Sequence, residues 1–236
     1  MARSDETPSM MVTGADRGIG LGLVRHYLEQ GCTVIATTRR DTPGQALSAL
    51  ADRHDRLRVL SLDCSNETSI NAFGKRLVAE NVTLDVAINN AAISLDEPYG
   101  QWTAEHFATH LMVNTIAPAL LVQAMQPVLQ PGSIVIQMSS GMASAEYNVN
   151  ADGPLDAYAA SKSALNLLTR RLAEKLRPQA IAVVAMSPGW VQTEMGGEGA
   201  TDTVEEAVQK MTGTIAKLGM DDTGRFIGPE GKPLAW

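Results

Sequence analysis

Cysteine is nearly absent: the chain of 236 residues has two, Cys32 and Cys64. Two cysteines cannot build a disulfide framework, and these two do not stand at the spacing of a thiolate metal site. Basic residues are also short, 19 against 26 acidic ones, for a net charge of −7. A general nucleic-acid binder neutralises phosphates with clustered Lys and Arg, so this balance argues against that class. No stretch approaches the length of apolar sequence that a bilayer requires without a charge or a proline, and no membrane span is expected. The start, Met1 to Pro8, is polar and lacks the apolar segment of a secretory signal. No repeat, low-complexity block or Pro/Gly/Ser-rich linker divides the chain. His106 and His110 share a helix face but lack the intervening acid of a zinc-binding helix, so no metal is expected. These exclusions leave a cytoplasmic, enzyme-sized domain over residues 1–236.

What is present is a core and a rhythm. Hydrophobic residues make up 44% of the chain, enough for a substantial interior. Short apolar runs at Ser9–Thr13, Thr33–Thr37, Leu57–Leu62, Val86–Asn89, Ser133–Met138, Ile181–Ser187 and Arg225–Ile227 read as strands. Helical periodicity separates them, clearest over Ile19–Gln30, closed by Gly31, and over Asp156–Arg177. The strands are near-continuous in apolar character, as expected when both faces of a sheet are covered. Right-handed crossovers then give an α/β fold: one doubly wound parallel Rossmann sheet of about seven strands with helices on both faces. Gly196–Gly199 reads as a mobile loop within it.

The first strand runs into Thr13-Gly14-Ala15-Asp16-Arg17-Gly18-Ile19-Gly20 and then a helix. Glycines here permit a tight turn and close approach of a pyrophosphate, and a helix N-terminus offers free N–H groups. The spacing is G-x-x-x-G-x-G, not the strict G-x-G-x-x-G. A dinucleotide with a free ribose 2′-hydroxyl calls for an acid at the end of the second strand. That region reads Thr37-Thr38-Arg39-Arg40, with no acid before Asp41. Arg17 and Arg39 suit a 2′-phosphate, which favours NADP(H) over NAD(H).

Tyr158 and Lys162 stand at i and i+4, on one helix face. A phenol of pKa about 10 is a poor acid–base group at neutral pH, and a nearby ammonium lowers it. So poised, Tyr158 exchanges a proton with a carbonyl oxygen while a hydride is transferred at carbon. The pair alone occurs on many helix faces. Here Ser139-Ser140 follows the fifth strand and Asn114 lies in a helical stretch before it, where ligands bind in open α/β sheets. Either serine has a hydroxyl for the substrate oxygen. Met138, Met142, Met195 and Trp190 are candidates for an apolar pocket wall, with core filling as the alternative for the methionines. Cys32 is expected to be a buried, reduced small residue. Leu165, Leu167, Leu168 and Leu172 make the long helix apolar on more than one face, which suits either core burial or a homodimer.

Taken together these segments resemble the short-chain dehydrogenase/reductase family over almost the full length. The matches run from Thr13-Gly14-x-x-x-Gly18-Ile19-Gly20 through Asp63, Asn89-Asn90-Ala91, Asn114, Ser140, Tyr158-x-x-x-Lys162 and Pro188-Gly189 to Thr193. The segment Pro188-Gly189-Trp190-Val191 and the final Pro233-Leu234-Ala235-Trp236 are similar to its C-factor and Sniffer-like carbonyl reductase branch. The resemblance implies Tyr158 as general acid/base, Lys162 as its partner and a ligand of the nicotinamide ribose, Ser140 on the substrate oxygen, and Asn114 in a proton relay. It also implies Asp63 and the Cys64 backbone at the adenine and Asn90 near the adenine-side ribose. Ala91 and Pro188 would line the dinucleotide, the Val191 backbone would meet the carboxamide, and Thr193 a phosphate. The implied substrate is a small carbonyl compound or alcohol; a dinucleotide-binding signalling protein with little turnover is the alternative. Three departures stand out: Ala92 and Ala143 where the family usually has glycine, and a long Ser140–Tyr158 stretch whose residues Ala145 to Pro154 are expected to form an extra loop over the site.

Overall fold

Seven parallel strands carry the architecture: β1 Ser9–Val12, β2 Thr33–Thr38, β3 Leu57–Ser61, β4 Leu84–Asn89, β5 Leu129–Met138, β6 Ala182–Met186 and β7 Phe226–Ile227. Their order across the sheet is β3-β2-β1-β4-β5-β6-β7, so the winding reverses between β1 and β4. Ligands of open α/β sheets bind at such a reversal, outside the carboxyl ends of the strands. This computed structural model describes residues 7–236. Residues 1–6, most of the polar start expected to carry no signal, lie outside the described residues.

Helices cover both faces, as the apolar strands required. On one side α1 (Gly18–Glu29), α2 (Gln45–Ala51) and α7 (Val204–Ile215) bury Leu23, Val24, Leu47, Val208 and Met211 against Val12, Val34 and Ile88. On the other, α3 (Glu67–Ala79), α5 (Ala117–Met125) and α6 (Asp156–Leu176) bury Ile70, Phe73, Leu121, Met125 and Ala173 against Met11, Ala87 and Val135. Burial of this kind contributes roughly 1.5–3 kcal/mol per large aliphatic side chain. Gly31, at φ 78, ends α1 in the left-handed conformation, and Cys32 beyond it is buried and free.

Two features depart from the expected pattern. β5 starts at Leu129 rather than Ser133, with Pro131-Gly132 inside it. The register against β4 slips there, between Leu84 and Val86, and Gly132 takes φ 95, so the Pro-Gly pair makes a bulge instead of ending the strand. Second, α4 (Ala104–Leu111), a π turn (Met112–Ile116) and α5 continue one another, and the helix Ala104–Val128 is long and apolar enough by composition to cross a membrane. Its Asn114, Ala117, Leu121, Val122 and Met125 are buried within the fold. On α6 Leu165 is buried, Leu168 and Leu172 are half-buried, and Leu167 faces outward.

Candidate active site

The glycine turn is shaped by backbone contact. Gly14 and Gly18 adopt positive φ, 64 and 54, which side chains resist. A Cβ at Gly14 would sit 2.9 Å from Ala91 Cα, and one at Gly20 would sit 2.3 Å from the Gly14 carbonyl oxygen. The turn therefore presses directly on the chain leaving β4. Asn90 Nδ2 donates to the carbonyls of Thr13 (2.9 Å) and Gly14 (3.2 Å), and the Ala91 N–H donates to Thr13 Oγ1 (2.9 Å). Asn90, expected beside a ribose, thus uses its amide to clamp the turn. Among the described residues no side chain caps α1, and its first turn holds no acid. Its leading N–H groups and positive dipole end are left for an anion. Ile19 packs into the core beneath them.

At the end of β2, Thr38 is buried, while Arg39 and Arg40 are exposed on the following loop. Arg17 is exposed too and forms a surface ion pair with Glu194. The residue sequence reading passed over is Asp16. Its carboxylate accepts from the Thr38 hydroxyl and, at 2.9 Å, from the Gly44 N–H. No spacing rule connects positions 16, 38 and 44; only the fold brings them together. After β3, the Asp63 carboxylate accepts from the N–H (2.9 Å) and hydroxyl (2.7 Å) of Ser65. Burial and the Asp63 charge push the Cys64 thiol up to about 12, so this position has only its backbone to offer a ligand.

The other end of the crevice is made of side chains. Ser139 and Ser140 part company: Ser139 Oγ is buried and donates to Asn166 Oδ1 at 2.6 Å, whereas Ser140 is half-buried and lies close enough to the Tyr158 phenol to ease its ionisation. Ser140 Oγ also accepts from the Met142 N–H at 3.2 Å. Lys162 is 2% exposed, and its Nζ donates to the Met138 carbonyl at 2.7 Å, 5.7 Å from the Tyr158 ring centroid. Met138 itself is core, not pocket wall. Burial pushes the Lys162 amine down to about 7.

Burial works against the expected acid phenol: it raises Tyr158 above the ordinary tyrosine value, and Ser140 partly opposes it. Asn114 sits in the π turn, a feature frequent at functional sites. Its side chain pairs both ways with the Ile93 backbone, at 2.9 Å each, and donates to Ser161 Oγ at 3.0 Å. Ser161, also unremarked in the sequence, donates to the Tyr158 carbonyl at 2.7 Å. Asn114 therefore joins the β4 exit to the Tyr158 turn of α6.

The loop after β6 closes the crevice. Pro188 and Gly189 (φ 86) turn the chain, and Val191 bridges to Asp202 in parallel fashion. The bridging bonds use Gln192 N–H and the Trp190 carbonyl, which turns the Val191 N–H to the other side. Thr193 Oγ1 donates to the Val191 carbonyl (3.3 Å) and accepts from the Gly196 N–H (3.0 Å). Its hydroxyl is a turn staple, and its methyl would lie 3.3 Å from a Cβ at Gly18. Gly196–Gly199, read as mobile, is a hydrogen-bonded turn on which the Trp190 Nε1 donates to the Gly196 carbonyl at 2.8 Å. Trp190 and Met195 are exposed and Met142 half-buried. The 145–154 loop reaches the β4 exit, where the Glu97 N–H donates to the Pro154 carbonyl at 3.0 Å.

A glycine turn, an uncapped helix and two hydroxyls beside a buried amine fit a nicotinamide dinucleotide. A family model described as "Enoyl-(Acyl carrier protein) reductase" matches residues 14–225. The chain belongs to the short-chain dehydrogenase/reductase family of oxidoreductases. It is 36% identical to "C-signal" of Myxococcus xanthus over 172 residues, 68% of this chain and 99% of that protein. It superposes on the carbonyl reductase Sniffer of D. melanogaster with a TM-score of 0.89 at 34% identity, covering 98% of this chain and 100% of that one. The NADPH-bound carbonyl reductase from chicken fatty liver gives 0.90 at 35% identity, with the same coverage.

Proposed function

We propose that the protein is an NADP(H)-dependent carbonyl reductase that interconverts a ketone or aldehyde and its alcohol. The observation that carries this reading is Ser140 and Tyr158 together beside buried Lys162, in a sheet whose first helix, α1, is left uncapped. The dihydronicotinamide, when bound, supplies a hydride to the carbonyl carbon. Tyr158 gives its phenolic proton to the carbonyl oxygen, and Ser140 donates a hydrogen bond to that oxygen as charge grows on it. Tyr158 is in its acid form at neutral pH, as the reductive direction requires, and the burial that raises its value makes it a slower proton donor. Lys162 would bind the nicotinamide ribose, and Asn114 would hold the relay behind Tyr158. Gly14, Gly18, Ile19 and Gly20 would hold the diphosphate, and Arg17 and Arg39, with the Thr38 backbone, the 2′-phosphate. Asp63, Cys64, Asn90 and Ala91 would serve the adenosine, and Pro188, Val191 and Thr193 the nicotinamide side. Met142, Trp190 and Met195 offer apolar surface, so the substrate is a small or medium apolar carbonyl compound.

The test is loss of NADPH absorbance with a panel of activated ketones and aldehydes. Turnover with at least one supports the assignment. The likeness to C-signal favours a second reading, a dinucleotide-binding signalling protein. Tight NADPH binding with no reduction across the panel selects that one. The outward Leu167 on α6 supports pairing of two chains, which sedimentation of the protein and a Leu167→Glu variant would test.

A further inference from the structure

We propose that Asp16 is a cofactor-selectivity residue that opposes the arginines and keeps NADH usable alongside NADPH; this rests on the dinucleotide site of the preceding section. In sheets of this type the acid that reads the adenosine ribose 2′-hydroxyl comes from the end of the second strand. That position here is Thr38, and it carries no acid of its own. The fold brings one from the first turn. The Asp16 carboxylate lies against the Thr38 hydroxyl, which donates to it, and against the Gly44 N–H at 2.9 Å. Asp16 is half-buried, so part of its carboxylate stays open to solvent at the end of β2.

A carboxylate only accepts hydrogen bonds. A ribose 2′-hydroxyl has a proton to give and suits it; a 2′-phosphate is itself an anion and is repelled. The corner is not basic on balance. The glycine turn, the loop after β2 and Glu194 together carry Arg17, Arg39 and Arg40 and the acids Asp16, Asp41 and Glu194, and Arg17 is already paired with Glu194. The Thr38 hydroxyl, a natural donor to a phosphate oxygen, is committed to Asp16. The same carboxylate holds Gly44, where α2 begins, and so sets the loop that carries Arg39 and Arg40.

These two effects of Asp16, charge and support, separate by substitution. Asp16→Asn keeps an acceptor for Gly44 and a polar contact to Thr38 but removes the charge. Asp16→Ala removes all of them. The experiment measures dissociation constants of NADPH and of NADH by calorimetry at fixed ionic strength, for the full chain and both variants, with thermal melts to confirm folding. The unaltered protein is expected to bind the two dinucleotides within about tenfold of each other. In Asp16→Asn, NADPH is expected to tighten by about tenfold and NADH to weaken several-fold. Equal movement of both constants, or none, overturns the proposal. So does a selectivity change seen only in Asp16→Ala, because Asp16 would then act by holding the loop and not by its charge. If the unaltered protein binds neither dinucleotide, the reductase reading falls and this inference with it; if it binds NADPH but its selectivity ignores Asp16, only the inference falls.

Discussion

At the glycine turn the surface is backbone, while around Tyr158 it is packed side chains. The first end consists of glycines pressed against β4 and helix N–H groups with nothing capping them. Its polar side chains, Thr13 and Asn90, bind the turn to itself. The second end consists of Ser140, Tyr158, Lys162 and Asn114, with Lys162 and Asn114 removed from water by the packing of α6 on the sheet. Backbone makes a rigid anion cradle with no ionisation to manage. Burial tunes acid–base groups, but it acts on every ionisable group at once and not always in the useful direction. The first end should therefore fail sterically, and the second should fail by charge and chemistry.

The largest effect is expected at the second end. Tyr158→Phe removes the only proposed proton donor and little volume. Turnover of the best ketone should fall by roughly 10³-fold, within the range for general acid catalysis. NADPH affinity should stay within about twofold. Steady-state rates and a binding titration check both. Retained turnover removes Tyr158 from the mechanism; a collapse of NADPH affinity would show that the two ends are not separable.

Lys162 tests burial itself. Its folded value is near 7, below the ordinary lysine value of 10.5. Between those two pH values the unfolded chain holds a proton that the folded chain has lost. Stability from this group therefore rises with pH across that window, and the full penalty applies below it. Lys162→Met removes the titration. The stability gap between variant and parent should shift in favour of the variant by on the order of a few kcal/mol as pH falls from 9.5 to 7. Urea unfolding at the two pH values measures it. A gap that does not change with pH means that the amine stays charged in the folded protein.

The same contrast explains what could be read from sequence. The glycine turn and the Tyr158–Lys162 face were legible because each lies on one continuous segment with a fixed period. The doubly wound parallel sheet followed from alternating elements and crossover handedness. Asp16, Ser161 and Glu194 were not legible, because their meaning comes from partners brought near by folding: Thr38 and Gly44, Asn114, and Arg17. Nor was the phenol's ionisation. Spacing places an amine one turn from Tyr158 but says nothing of how deeply water is excluded, and exclusion of water decides the sign. The start of β5 at Leu129, four residues before the expected Ser133, was not legible for a related reason: Pro131-Gly132 is carried as a bulge only because β4 lies beside it.

The smallest of these effects is expected at the first end, and by a different cause. A Cβ at Gly20 would lie 2.3 Å from the Gly14 carbonyl oxygen and 2.7 Å from Asn90 Nδ2. The side chain of Asn90 can swing aside, but the carbonyl belongs to the turn and cannot move without carrying Gly14 off Ala91. Gly20→Ala should therefore break the Asn90–Gly14 hydrogen bond and reopen the turn, at a cost of about 2 kcal/mol for overpacking. For a chain of this size that lowers the melting temperature by roughly 4–8 °C. Both dinucleotides should weaken together, since the diphosphate is common to them, and the shift should not depend on pH between 7 and 9.5. Loss of NADPH alone would mean that the glycine turn reads the 2′-phosphate and not the diphosphate. A pH-dependent loss would mean that ionisable side chains, and not backbone, govern this end as well.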